Sequence, residues 1–182
     1  MTPLLLALTA SAGWTVSTTS DGCTFYVGDR QGAYAPVRVE CDWEIAPATL
    51  HGLIGNLSAH KQYFSSVSVS EKVGEGRYRQ VHVASGISDR ELIVDMGSEP
   101  IPGGTRYWWK KSADQTGTTG AGVEPNQNQG KWEITDGASG GSHVVYELMY
   151  DPGGSVPGFL VRWFQTSGVE LLVGELKAKA GG

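Results

Sequence analysis

The chain has 182 residues, 40% of them hydrophobic and 18% charged, and a formal net charge of −5. That balance fits one globular unit large enough to bury a core and excludes an intrinsically disordered chain. The acidic balance and the lack of any long Lys/Arg run argue against a nucleic-acid partner.

Residues 3–10 are apolar, and Ala10-Ser11-Ala12 follows as a small-x-small pattern before Gly13. No Lys or Arg stands near Met1. The preferred reading makes 1–12 a signal-peptide remnant, places the protein in the periplasm or outside the cell, and leaves 13–182 as a single domain. The other reading is a buried N-terminal segment. Either way the stretch is too short to span a bilayer, which takes about 20 apolar residues.

Residues 24–29 and 36–44 read as two strands around a turn at 31–35. In the second, Val37, Val39, Cys41 and Trp43 alternate with Arg38, Glu40, Asp42 and Glu44, the mark of a strand with one apolar and one charged face. If these strands form a hairpin, Cys23 and Cys41 face each other, and a disulfide suited to an oxidising compartment becomes possible. Two buried thiols are an equal alternative. With no Cys-x-x-Cys and with scattered histidines, no zinc site is expected.

Pro47 opens a helix with Leu50, Leu53, Ile54 and Leu57 on one stripe, ending near residues 60–63. Strands resume around Val67 and Val69, at 78–83, at 91–96 and at 105–111, the last two joined through a turn at 98–104. Residues 113–129 are rich in Gly, Thr, Asn and Gln and read as a polar surface loop, with a mobile lid as the lesser alternative. A hairpin of 131–135 and 142–150 follows. One long helix then closes the chain, capped by Ser155 and carrying Leu160, Val161, Phe164, Leu171, Leu172 and Leu176 on its apolar face. Gly168 and Gly174 inside it point to close packing or a bend.

Four local motifs occur in a telling order: the helix start after Ala46-Pro47, Ile87-Ser88-Asp89-Arg90-Glu91, Gly130-Lys131-Trp132-Glu133-Ile134, and Asp151-Pro152-Gly153-Gly154 leading to Val156-Pro157 and Leu160-Val161. Together they resemble the START family of lipid-transfer domains (steroidogenic acute regulatory protein-related, in the birch-allergen-like superfamily), in a bacterial-type form. The resemblance spans residues 14–180. It implies an α+β helix-grip fold, a curved antiparallel sheet wrapped around the long C-terminal helix with a hydrophobic tunnel between them. Three departures stand out: Glu91 replaces the family's usual Asp, Ala84-Ser85-Gly86 stands where the family often has an apolar/Pro lead-in, and the acidic partner expected for the arginine is not identifiable by spacing.

The resemblance makes Arg90 the first candidate site residue, a cavity guanidinium that could orient a ligand hydroxyl or carboxylate, or else an internal ion pair. Tyr107, Trp109, Trp132, Trp163, Phe164 and Leu160 are candidate lining, although each alone could be ordinary core. His82, on one strand face with Gln80, is a candidate polar group in the cavity or else a surface residue; His51, His60 and His143 are expected at the surface. No nucleophile elbow, phosphate loop or paired-histidine motif occurs, so no catalytic residue and no cofactor is expected. The leading expectation is a non-enzymatic binder of an apolar small molecule such as a lipid or sterol, with transient membrane contact. The alternatives are a cyclase- or aromatase-type enzyme of the same fold and a structural or protein-binding module, whose filled interior would hold no cavity of about 300 Å³ or more.

Overall fold

The computed structural model describes residues 13–182, so the signal-like segment 1–12 lies outside the described residues. Nine antiparallel strands form one sheet: β1 (Thr15–Ser20), β2 (Cys23–Val27), β3 (Val37–Trp43), β4 (Val67–Gly74), β5 (Arg77–His82), β6 (Arg90–Ile101), β7 (Gly104–Lys111), β8 (Gln127–Asp136) and β9 (Ser142–Asp151). Their order across the sheet is β1-β2-β3-β9-β8-β7-β6-β5-β4. Helix α1 (Pro47–Ile54) and a 3₁₀ segment, Leu57–Gln62, lead from β3 to the edge strand β4; α2 (Gly158–Phe164) and α3 (Ser167–Lys179) close the chain. The expected curved sheet with C-terminal helical cover is therefore present.

The alternation read in 36–44 holds. Val37, Val39, Cys41 and Trp43 are buried, and Cys23 pairs in register with Cys41, to which it is joined by a disulfide. The outward faces carry a chain of opposite charges across five strands. Glu99 bonds Arg106 at 2.8 Å, Arg106 bonds Glu133 at 2.7 Å, and Lys131 joins Glu133 at 3.0 Å to Glu147 at 3.5 Å. Arg38 then links Glu147 to Glu40. Cross-strand neighbours of opposite sign support the register that turns the apolar faces inward.

Four sequence expectations change. β1 is an additional strand, polar and exposed, carrying too weak an apolar alternation to be seen. The helix at Pro47 stops at Ile54 and continues only as the 3₁₀ segment after Gly55 and Asn56. The terminal helix is two helices, broken where Thr166 leaves helical geometry at φ −134°, ψ −101°. Pro157, not Ser155, precedes its first residue, and no side chain caps it. The break resets the helical phase, so Val169, Val173 and Leu176 form the buried stripe of α3 while Leu171 is 47% exposed. Gly168 marks the close packing: a Cβ there would lie 2.9 Å from the Trp163 ring.

The loop read as polar surface has a structural task. β7 pairs with β6 only from Val94 onwards, which leaves the first residues of β6 without a strand on that side. The loop supplies the missing partners. Ser112 N donates to Ile93 O, the Gln115 carboxamide bonds both Ile93 N and Ile93 O, and the Glu91 and Val123 amides donate to Val123 O and Asp89 O. Backbone groups that would otherwise be buried unpaired are thereby satisfied. Arg90 to Val94 are accordingly buried at every position.

Candidate functional site

The inner face of the sheet together with α2 and α3 bounds a cavity of about 160 Å³. Gln80 and His82 of β5, Arg90, Val94 and Met96 of β6, and Trp109 of β7 form one side. Asn128 and Trp132 of β8, with Tyr146, Leu148 and Tyr150 of β9, form the floor. Trp163 and Phe164 of α2 and Val169 and Leu172 of α3 cover it; Leu57, His60 and Phe64 complete it. Ligand pockets usually begin near 300 Å³, so this interior holds a compact molecule as it stands and a larger one only after expansion.

Of the residues selected from sequence, Arg90, His82, Trp109, Trp132, Trp163 and Phe164 border the cavity, while Tyr107 and Leu160 do not. Tyr107 shares a strand face with Trp109 but lies two residues further along, about 7 Å. There it meets α1, with its hydroxyl 3.1 Å from His51 Nδ1. Leu160 is buried beside Gly86, outside the cavity. His60, expected at the surface, is buried, with its ring packed edge-on against Phe64 and Nε2 3.2 Å from the Ile54 carbonyl. Asn128, Tyr146 and Tyr150 were not selected, although Asn128 shares the alternation of Trp132 and Ile134, and Tyr146 and Tyr150 that of Val144 and Leu148.

The position of Trp109 depends on a glycine. A Cβ at Gly130 would sit 2.4 Å from Trp109 Cζ2 and 2.3 Å from Glu147 O, so only glycine lets the indole lie against β8. Trp109 Nε1 then donates to Asn128 Oδ1 at 2.9 Å. Because an indole N–H can only donate, the Asn128 oxygen must face it and the amide NH₂ must point elsewhere.

Arg90 is buried and has no acidic partner among the described residues, contrary to the ion pair the resemblance implied. Its guanidinium is held by main-chain carbonyls instead. Nε donates to Pro152 O at 3.0 Å, Nη2 to Gly153 O at 2.9 Å and Nη1 to Ser88 O. Three of its five N–H groups are thus used, and one remains on each terminal nitrogen. The adjacent Glu91 points to the opposite face, where Arg79 and Thr119 bind its carboxylate. Burial works against its charge, but the Thr119 amide and hydroxyl, Arg79 and the Gly122 amide outweigh it and hold the group down at about 2.

His82 lies opposite Arg90 in register, its Nδ1 is 3.4 Å from the Tyr150 hydroxyl and its Nε2 is 3.2 Å from Gln80 Oε1. Tyr150 in turn pairs in register with Asn128. Burial lowers the His82 pKa to about 4. It also lowers that of His60 to about 4, against the opposing pull of the Ile54 and Leu53 carbonyls. Both rings are neutral near pH 7, and burial pushes the Tyr146 and Tyr150 hydroxyls up. Among the described residues no group of three or more His, Cys, Asp or Glu gathers to hold a metal, and no helix is long and apolar enough to cross a membrane.

No family model and no curated protein matches the chain. Solved structures do. A STAR-related lipid transfer protein from Xanthomonas axonopodis is 18% identical and superposes with a TM-score of 0.80 over 94% of this chain and 100% of its own. Human StAR-related lipid transfer protein 5 gives 0.81 at 11% identity, covering 94% of this chain and 88% of that one. A START superfamily protein from Mycobacterium smegmatis gives 0.63 at 11% identity, over 80% of this chain and 97% of its own. The chain has the helix-grip fold of the START lipid-transfer domains.

Proposed function

We propose that the protein binds an apolar small molecule of the lipid or sterol class between its sheet and its C-terminal helices. The observation that carries this reading is a partly enclosed cavity lined mainly by aromatic and aliphatic side chains, with Gln80, His82, Arg90 and Asn128 among its polar groups. Affinity would come from removing apolar ligand surface from water, about 25 cal/mol per Å². The names of the START neighbours, which are lipid-transfer proteins, support the same class of ligand.

A lipid needs more room than about 160 Å³, so loading involves displacement of α2 and α3 from the sheet. The chain has two natural articulation points. Gly153 and Gly154 both hold positive φ, at 63° and 64°, just before α2, and Thr166 interrupts the helices after it. Residues that bridge such points can absorb a rotation without disturbing the packed stripe of α3.

We further infer export to an oxidising compartment, supported by the Cys23–Cys41 disulfide, which a reducing cytosol would not maintain. The function is tested by native mass spectrometry of protein purified from its own host, with extraction of the bound material. An apolar small molecule retained by the wild-type chain and lost from Ala84→Trp, which fills the cavity, is the expected result. Equal retention by both proteins would place the molecule elsewhere.

A further inference from the structure

The cavity has one formal charge, and it is unbalanced. Among the described residues that line it there is no Asp, Glu or Lys; Arg90 alone is ionised at neutral pH, since His60 and His82 are held neutral. No carboxylate of the described residues pairs with Arg90. Asp151, next to Pro152, is occupied by the Gly153 amide at 2.9 Å and Asn126 Nδ2 at 3.1 Å, and Asp89, next to Ser88, is exposed. A buried guanidinium facing only carbonyl dipoles retains an electrostatic preference for an anion.

A second donor lines the same cavity. Asn128 is 3% exposed, its oxygen is taken by the Trp109 indole, and its NH₂ has no hydrogen-bond partner among the described residues. Asn128 is related to Arg90 through Tyr150 and His82. Asn128 is the register partner of Tyr150, Tyr150 is hydrogen-bonded to His82, and His82 is the register partner of Arg90. Two spare guanidinium N–H groups and a free amide NH₂ therefore border the same cavity, whose remaining lining is mostly aromatic and aliphatic.

We propose that the ligand is an apolar monocarboxylate, a fatty or aryl acid whose carboxylate is received by Arg90 and Asn128 while its hydrocarbon body lies against Trp109, Trp132 and Phe164. This rests on the apolar-ligand reading above and narrows it. A carboxylate supplies acceptors to both donors and the counter-charge that Arg90 lacks. An alcohol of the same length fills the same apolar space but supplies no charge, and its single oxygen cannot satisfy both donors as anionic acceptors.

Titration calorimetry at neutral pH with octanoate and with octanol tests this on the delipidated full chain. Wild type is expected to favour octanoate by about ten-fold or more. Asn128→Asp keeps an oxygen for the Trp109 indole and replaces the free NH₂ with an anionic oxygen; it is expected to abolish or reverse the preference and leave octanol binding within about two-fold. Arg90→Gln is expected to lose the preference as well, and Asn128→Asp keeps the test decisive should that variant fold poorly. Equal affinity of wild type for the two compounds overturns the carboxylate assignment and leaves the apolar cavity standing. A preference unaffected by Asn128→Asp also overturns it. Binding of neither compound overturns both readings.

Discussion

Arg90 Nε donates to the carbonyl of Pro152 at 3.0 Å, across 62 positions of sequence. With Nη2 on Gly153 O, this ties the first residue of β6 to the turn that launches α2. The guanidinium is therefore both a wall of the cavity and the pin of its helical cover. Arg90→Met strands the carbonyls of Ser88, Pro152 and Gly153 in a buried site and is expected to cost about 3 kcal/mol in chemical denaturation. Arg90→Lys, with one nitrogen in place of three, is expected to recover only part of that loss.

Glu91 anchors the loop that completes β6, and its bonds require the ionised form. Its pKa falls from 4.5 in a free chain to about 2 in the fold. The stability it contributes is therefore fully present above about pH 4.5 and is lost as pH falls towards 2, a difference of up to about 3 kcal/mol. Glu91→Gln is expected to lower stability at pH 7 and to flatten this part of the stability–pH curve. An unchanged acid limb in that variant would show that Glu91 does not carry it.

The two histidines that line the cavity act at milder pH. His60 and His82 have folded pKa values near 4, below the 6.5 of a free imidazole, so the unfolded chain takes up protons first as pH falls. Stability is complete above pH 6.5 and declines from there towards pH 4. His60→Gln is expected to reduce the slope of melting temperature against pH in that window while leaving the lower Glu91 limb in place.

Gly130 has the most direct link between backbone and cavity. Gly130→Ala drives a methyl into the Glu147 carbonyl and the Trp109 ring. A loss of about 1–3 kcal/mol is expected. A shift in tryptophan emission should accompany it, as the indole leaves Asn128. Unaltered emission would mean that Trp109 does not depend on the glycine.

Much of the fold was legible because strands of period two declare their faces. Val37 to Trp43 is such a case, and the pairing of Cys23 with Cys41 follows once the hairpin is in register. β1 escaped because it buries almost nothing, and the break at Thr166 because no proline marks it. The site was legible where large aromatics and Arg90 stand out. His60 and Asn128 were hidden because a polar residue's burial is decided by its neighbours in space. His60 is covered by Phe64 and Asn128 by Trp109, and only the fold brings the second pair together. The carbonyl cage of Arg90 has no side-chain signature at all.

The central claim, an apolar ligand held between the sheet and the C-terminal helices, is tested most directly by amide hydrogen exchange of the delipidated protein with and without saturating octanoate. Slower exchange in α2 and α3 and at the Gly153–Gly154 turn, with β1 and β2 unchanged, is the result the account predicts. Binding that leaves α2 and α3 exchanging as fast as before would contradict it.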